Sequence, residues 1–151
     1  MMKPMDSKTQ SQQIIITPDV TPEDKQVVCK NLYGHNVDKT DRLLQKPGID
    51  INLVLKDEAG QVFGGILCDT FLYSLYIDVM WVHESLRGQG YGKALILEAE
   101  RIAREHGCTF AHTCTFTYQN PAFYQAVGYA VFAVLDDYPD GIQQYFLKKR
   151  L

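Results

Sequence analysis

Between Arg87 and Lys93 the chain reads Arg-Gly-Gln-Gly-Tyr-Gly-Lys, three glycines at alternate positions between two cations. Glycine exposes its backbone N–H and tolerates positive φ. The segment follows a strand-like run and opens a helix-like one. Its amides therefore sit at a helix start, where unpaired N–H donors and the positive dipole end attract phosphate oxygens. A plain flexible turn needs one glycine, not three. Neither common nucleotide pattern fits. The dinucleotide fingerprint G-x-G-x-x-G needs glycine where Lys93 stands, and an acid about 20 residues further on. The phosphate loop G-x-x-x-x-G-K-S/T is one residue longer than the Gly88–Gly92 spacing allows and needs a hydroxyl at Ala94. The implied chemistry is phosphate binding in neither usual nucleotide mode.

A second constellation runs from Tyr118 to Tyr129. Asn120 is placed to cap a short helix with Pro121 at its first position. Phe123 and Val127 are spaced to face a core, and Tyr124 projects about 100° from Phe123, toward a cleft. The plainer reading is a capped helix with aromatic packing. Phe71 to Val82 reads as one unbroken strand. Alternation puts Tyr73, Leu75, Ile77, Val79 and Trp81 on one apolar face and Ser74, Tyr76, Asp78 and Met80 on the other. A mid-strand carboxylate is costly to bury unpaired. Asp78 thus lines a wet cleft or meets a structural partner. Glu84, in the loop before Arg87, is a second candidate base or a solvated acid. His83 reads as a surface histidine without a partner. His112 shares a face with Phe110, Cys114 and Phe116, as a hydrogen-bonded core histidine or a base. His35 and His106 read as surface or helix-end residues. Asp136, Asp137, Tyr138 and Asp140 form a loop that either selects a cation or is an exposed turn, which Pro139 and Gly141 favour.

The elements that position these residues follow from local signals. Met1 to Gln12 is polar and unpatterned, a disordered tail. Gln13 to Thr17 reads as a short strand. Thr21-Pro22-Glu23-Asp24 starts a helix running to about Leu32 or Gly34, and a second short helix is expected over Lys39 to Gln45. A hairpin follows, Ile51 to Lys56 and Val62 to Cys68 around Asp57–Gln61. After the long strand and the glycine loop, a helix from Tyr91 to His106 carries an apolar stripe of Leu95, Ile96, Ala99, Ile102 and Ala103, stopped by Gly107. Thr109 to Phe116 is a strand, and a two-turn helix from Asn120-Pro121 ends at Gly128. The last strands are Tyr129–Leu135 and Ile142–Lys148. The order is β-α-α-β-β-β-α-β-α-β-β, an α/β (α+β) mixed sheet, as one domain over 13–151.

The 151 residues carry a net charge of −3, with 46% hydrophobic and 22% charged residues, an ordinary globular composition. No basic excess points to nucleic acid, and no apolar run approaches the ~20 residues of a membrane span. A cytoplasmic chain is expected. Cys29, Cys68, Cys108 and Cys114 include no C-x-x-C pair and match no zinc spacing. Reduced thiols filling core space, and no metal, are expected. An exposed last strand or an apolar helix face could make a homodimer.

Together the two constellations resemble the GNAT superfamily of acyl-CoA-dependent N-acetyltransferases. Arg87 to Gly92 matches its motif of Q or R, two residues, G, one residue, then G or A. Asn120, Phe123, Tyr124 and Gly128 match its second motif, N-x-x-A-x-x-F-Y-x-x-x-G-F, with a shorter spacer that holds only Pro121 and Ala122. Leu135 to Leu151 looks like the closing strands of one small bacterial branch, although Ile142 stands where that branch commonly has histidine. The resemblance implies a splayed sheet with acetyl-CoA entering where two central strands part. It implies a thioester carbonyl near Trp81 and Val82, and a cofactor-binding run of Arg87, Gly88, Gln89, Gly90, Tyr91, Gly92 and Lys93, with the pyrophosphate on the backbone amides between Gln89 and Lys93. Asn120 would bond the pantetheine arm or order water and Phe123 would also bind the cofactor, with Tyr124 as general acid and Asp78 or Glu84 handling the amine proton. The implied reaction moves acetyl to a primary amine, of a small molecule rather than a protein N-terminus or lysine. The other class is a non-catalytic acyl-CoA-binding module, against which Tyr124 beside Asn120 speaks.

Overall fold

A computed structural model describes residues 13–40, 43–44 and 47–151. The chain forms two compact units, residues 1–41 and 42–151. The expected tail over 1–12 lies outside the described residues.

The first unit contains α1, Pro22–Thr40. Its start is a reciprocal cap: the Thr21 amide donates to Asp24 Oδ2 (2.8 Å) and the Asp24 amide to Thr21 Oγ1 (3.1 Å). One helix stands where two were expected. It runs through Gly34, because a lone glycine costs only about 1 kcal/mol in a helix interior. Of the second expected helix, Lys39 and Thr40 end α1, while Asp41, Arg42 and Gln45 lie outside the described residues. Gln13–Thr17 forms no strand. A β-branched run is not a strand without a neighbour to take its N–H and C=O groups. Cys29 is exposed on α1 and fills no core space.

Among its described residues the second unit holds six strands: β1 Asp50–Lys56, β2 Val62–Phe71, β3 Ser74–Val82, β4 Phe110–Phe116, β5 Ala130–Leu135 and β6 Gln144–Arg150. Their order is β1-β2-β3-β4-β6-β5. Only β3 and β4 run parallel; the other pairs are antiparallel. The expected α/β mixed sheet is present. The last strand is not exposed, because β6 lies between β4 and β5 and the edge falls to β5. One face of the sheet packs on α2, Tyr91–Glu105. The expected stripe closes that core: Leu95, Ile96, Ala99 and Ala103 are buried against Ile66, Leu75, Ile77 and Leu147. A short helix, α3, covers Pro121–Ala126.

Three departures from the expected strand pattern matter for the site. First, Phe71 to Val82 is not one strand. The chain reverses at Leu72 (φ 45°) and Tyr73 (φ 62°), a two-residue hairpin turn that asks for positive φ at both positions. No Gly, Asn or Asp announces it, so the turn is imposed by β2–β3 pairing. Second, Leu67 pairs Val79 but Cys68 pairs Ile77, which leaves Asp78 as the extra residue of a bulge. A one-residue slip exchanges the faces of everything beyond it. Met80 and Val82 therefore join Leu75 and Ile77 on the core side, and Val79 and Trp81 are turned out, 46% and 48% exposed. Third, β3 and β4 pair only from Ser74↔Phe110 to Ile77↔Thr113. Past that point β3 continues to Val82 and β4 to Phe116 without pairing, so the two central strands fork.

A buried carboxylate ties the unit together. Glu100 of α2 has no solvent exposure. It accepts from Lys149 Nζ on both oxygens (2.9 and 2.8 Å), from Tyr129 Oη (3.1 Å) and, more distantly, from Arg104 (3.5 Å). The residue falls on the apolar stripe of α2, and an acid in such a stripe signals a buried partner.

Candidate active site

The site is built where β3 leaves β4. Val82 ends β3, a 3-10 turn covers Glu84–Leu86, and α2 begins at Tyr91. The loop between is braced internally: Arg87 Nε donates to Val82 O (3.0 Å) and Gln89 Nε2 to Ser85 O (2.8 Å). His83 is not a free surface residue. Its Nδ1 lies 2.8 Å from Ser85 Oγ and accepts from the Ser85 amide, capping the 3-10 turn, and its ring packs edge-on to Phe63 and Trp81.

The three glycines of this loop do two different jobs. Gly88 and Gly90 hold φ of 72° and 88°, where a side chain is strained. Gly92 has ordinary φ, but a Cβ there would lie 3.3 Å from Phe123 and 3.4 Å from Met80. Gly92 thus lets α2 close on α3. Gly90 caps α2 with no side-chain hydrogen bond. The first amide taken within the helix is that of Ala94, donating to Gly90 O (3.0 Å). The N–H groups ahead of it, through Lys93, form the open helix start expected to hold an anion. No atom Cβ would meet surrounds Gly90, so the approach is clear. Tyr91 and Lys93 are exposed beside it.

On the other side of the fork, Asn120 Oδ1 accepts from the Phe123 amide (3.2 Å) and caps α3, as its position predicted. Phe123 packs against the core. Tyr124 is half-buried, its ring 5.3 Å from Phe123 and 5.9 Å from Tyr129. Burial raises its phenol above the ordinary value of 10.0; a hydrogen bond with Thr113 opposes this, and the nearby Cys68 and Cys114 thiols add to the rise. Thr113 is the last residue of β4 paired with β3 and itself donates to Ile77 O (2.9 Å). The Tyr124 phenol therefore stands where the strands part, held protonated.

The two candidate bases are not brought together. Asp78 is exposed at the bulge and makes no ion pair or hydrogen bond among the described residues. Its charge reaches Tyr76 and Cys68. The structural-partner reading of Asp78 therefore falls away. Glu84 lies beyond the end of β3, exposed on the 3-10 turn. Trp81 is exposed, and the Val82 carbonyl is occupied by Arg87. His106 caps α2 through its backbone, with Nδ1 3.1 Å from Ile102 O. Sequence reasoning missed Thr113, whose role depends on where β3 stops pairing, and the bulge at Asp78. Among the described residues no group of three or more His, Cys, Asp or Glu could hold a metal ion, and no helix is long and apolar enough to cross a membrane.

Known proteins share this fold. The chain is 41% identical over 95 residues to the blasticidin-S acetyltransferase of Streptomyces morookaense, covering 62% of this chain and 70% of that one. A crystal structure of an acetyltransferase from Bacillus cereus superposes with a TM-score of 0.82 at 36% identity, over 91% of this chain and 98% of that one. An acetyltransferase from Bacillus anthracis, crystallised with acetyl coenzyme A, shares the fold alone (TM-score 0.60, 19% identity, 68% of this chain and 63% of that one). The acetyltransferase (GNAT) family model matches residues 24–129. With a forked mixed sheet, an open glycine loop at the helix start and a protonated tyrosine at the fork, the chain belongs to the GNAT family and is an acetyl-CoA-dependent acetyltransferase.

Proposed function

We propose that the acetyl group goes to the primary amine of a small molecule, by direct attack on the thioester in the β3–β4 fork, and that residues 13–151 act as one acetyltransferase domain. The observation that carries the reading is the half-buried, protonated Tyr124 phenol beside Thr113, at the end of the β3–β4 pairing. In this reading the amides through Lys93 take the pyrophosphate. Backbone N–H groups of β3 beyond the bulge stabilise the oxyanion. Tyr124 gives a proton to the departing thiolate. Asp78 faces solvent at the bulge and attracts the substrate ammonium; Glu84 is exposed on the 3-10 turn that follows β3. The 41% identity to a blasticidin-S acetyltransferase supports a small-molecule acceptor. Burial and the charges of Asp69 and Asp78 push the Cys68 thiol up to about 12, which makes it a poor nucleophile and favours direct attack over an acyl-cysteine relay.

The test is a panel of primary amines with acetyl-CoA, blasticidin S among them, following released thiol. Amine-dependent release above the hydrolytic background is expected. A protein that binds acetyl-CoA and releases no thiol with any amine would instead be the binding module. The loop has its own test. In Gly90→Val the new side chain strains a φ of 88° and fills the open approach to the amides. The Michaelis constant for acetyl-CoA is expected to rise by about tenfold or more, the equivalent of ~1.4 kcal/mol, and the melting temperature to fall, because a β-branched residue at that φ is strained. An unchanged constant would move the pyrophosphate elsewhere.

A further inference from the structure

We infer that His112 takes the proton from the attacking amine. The inference rests on the acetyl-transfer reading above and supplies the base which that reading leaves open. His112 lies on β4 immediately before Thr113, the last residue paired with β3, so it stands at the closed end of the fork. Its register partner is Tyr76. The Tyr76 ring lies 5.0 Å away and the Phe110 ring 5.8 Å away, which hold the imidazole between them. Alternation along β4 turns buried Thr113, and Tyr124 beside it, to the opposite side of the sheet. Acid and base thus flank the fork from its two faces, and the two proton transfers do not compete for one group.

His112 lacks the feature that marks a structural histidine. Neither ring nitrogen makes a hydrogen bond among the described residues. Among the described residues no buried side-chain nitrogen or oxygen is left without a partner, so its nitrogens reach solvent although the ring is half-buried. The expectation of a hydrogen-bonded core histidine is therefore not met. Burial lowers its pKa below the ordinary 6.5, with Asp69 pulling part of the way back. The ring is neutral at pH 7 and ready to accept a proton. The other titratable groups facing it are Tyr76 and Asp78 on β3, Asp69 on β2, Cys114 on β4 and Lys148 on β6, its register partner across the sheet. Tyr76, hydrogen-bonded to Cys114 and partly buried, is pushed up to about 12 and stays neutral.

The step balances. The substrate ammonium loses one proton to water. The amine nitrogen then bonds to the thioester carbon as the carbonyl π pair moves to oxygen. On collapse the C–S bond breaks with its pair on sulfur, which takes the Tyr124 proton. The second amine proton passes to His112, directly or through one water. The products are amide and CoA thiol, and imidazolium and phenolate return to neutral through solvent.

Two measurements on the full chain test this. In the first, imidazole NMR with His112 assigned from His112→Asn is expected to show His112 titrating below 6.5 and shifting on addition of acetyl-CoA, with His35 unmoved. A His112 resonance blind to acetyl-CoA would overturn the inference even if no amine in the panel were accepted, which would be the separate failure of the proposed function. In the second, with an accepted amine, His112→Asn is expected to lower kcat/KM for the amine by about 10²–10⁴ and to remove the lower inflection of its pH profile, leaving the limb set by the amine's own deprotonation and the constant for acetyl-CoA unchanged. His112→Gln replaces it if Asn fails to fold. A lower inflection that persists with the parent midpoint would assign the base elsewhere.

Discussion

Tyr124→Phe is expected to lower kcat by about 10²–10⁴ while acetyl-CoA binds as before. The substitution removes one hydroxyl and almost no volume. The ring keeps its contacts with Phe123 and Tyr129, and the Tyr124 carbonyl still accepts from the Tyr129 amide (2.9 Å). Folding should be kept. What disappears is a proton donor whose pKa burial holds above 10.0. Because the shift is upward, the phenol stays protonated across the range where amines are acetylated, and no alkaline loss should appear below the ordinary tyrosine range. The deficit should fall on kcat, since the interaction grows only as charge builds on sulfur. It should shrink with a thioester of a more acidic thiol. Steady-state kinetics with a saturating acceptor and chemistry rate-limiting decide the matter. Parent-like turnover would leave Tyr124 as a packing residue.

Lys149→Met is expected to cost about 3–5 kcal/mol of stability, the usual consequence of leaving a buried charge without its partner. Lys149 approaches both Glu100 oxygens, and Glu100 has no exposure to solvent. The Tyr129 hydroxyl cannot neutralise it, and Arg104 reaches it only at 3.5 Å from a side chain that is 46% exposed. Urea denaturation measures the loss. The double variant Glu100→Gln/Lys149→Met should recover part of it, because the uncompensated charge is then gone. A single variant within about 1 kcal/mol of the parent would mean that Arg104 alone suffices, a surface-type contribution. The same cluster bears on the site: Tyr129, which donates to Glu100, follows α3 directly and packs its ring on Tyr124.

The parts of this protein that were legible in the sequence are those whose rules are local. Glycines at 88, 90 and 92 between a strand and a helix mark the loop, because positive φ and an open helix start are properties of a few consecutive residues. The stripe Leu95, Ile96, Ala99, Ala103 predicted the buried face of α2, and Asn120-Pro121 predicted the cap of α3, for the same reason. Alternation on β4 put His112 on the face of Cys114 and away from Thr113. On β3 the same rule failed, because alternation holds only while the register does. Whether Leu67 faces Val79 and Cys68 faces Ile77, with Asp78 left over, is settled between two strands and not within either. The turn at Leu72–Tyr73 is likewise made by the pairing of its flanks, against the preference of its own residues. The fork exists because β4 follows β3 for four pairs and then leaves it for β6 alone. Such choices belong to tertiary structure: they are decided by which distant backbone groups find each other, and only they set Tyr124 beside Thr113 where the β3–β4 pairing ends.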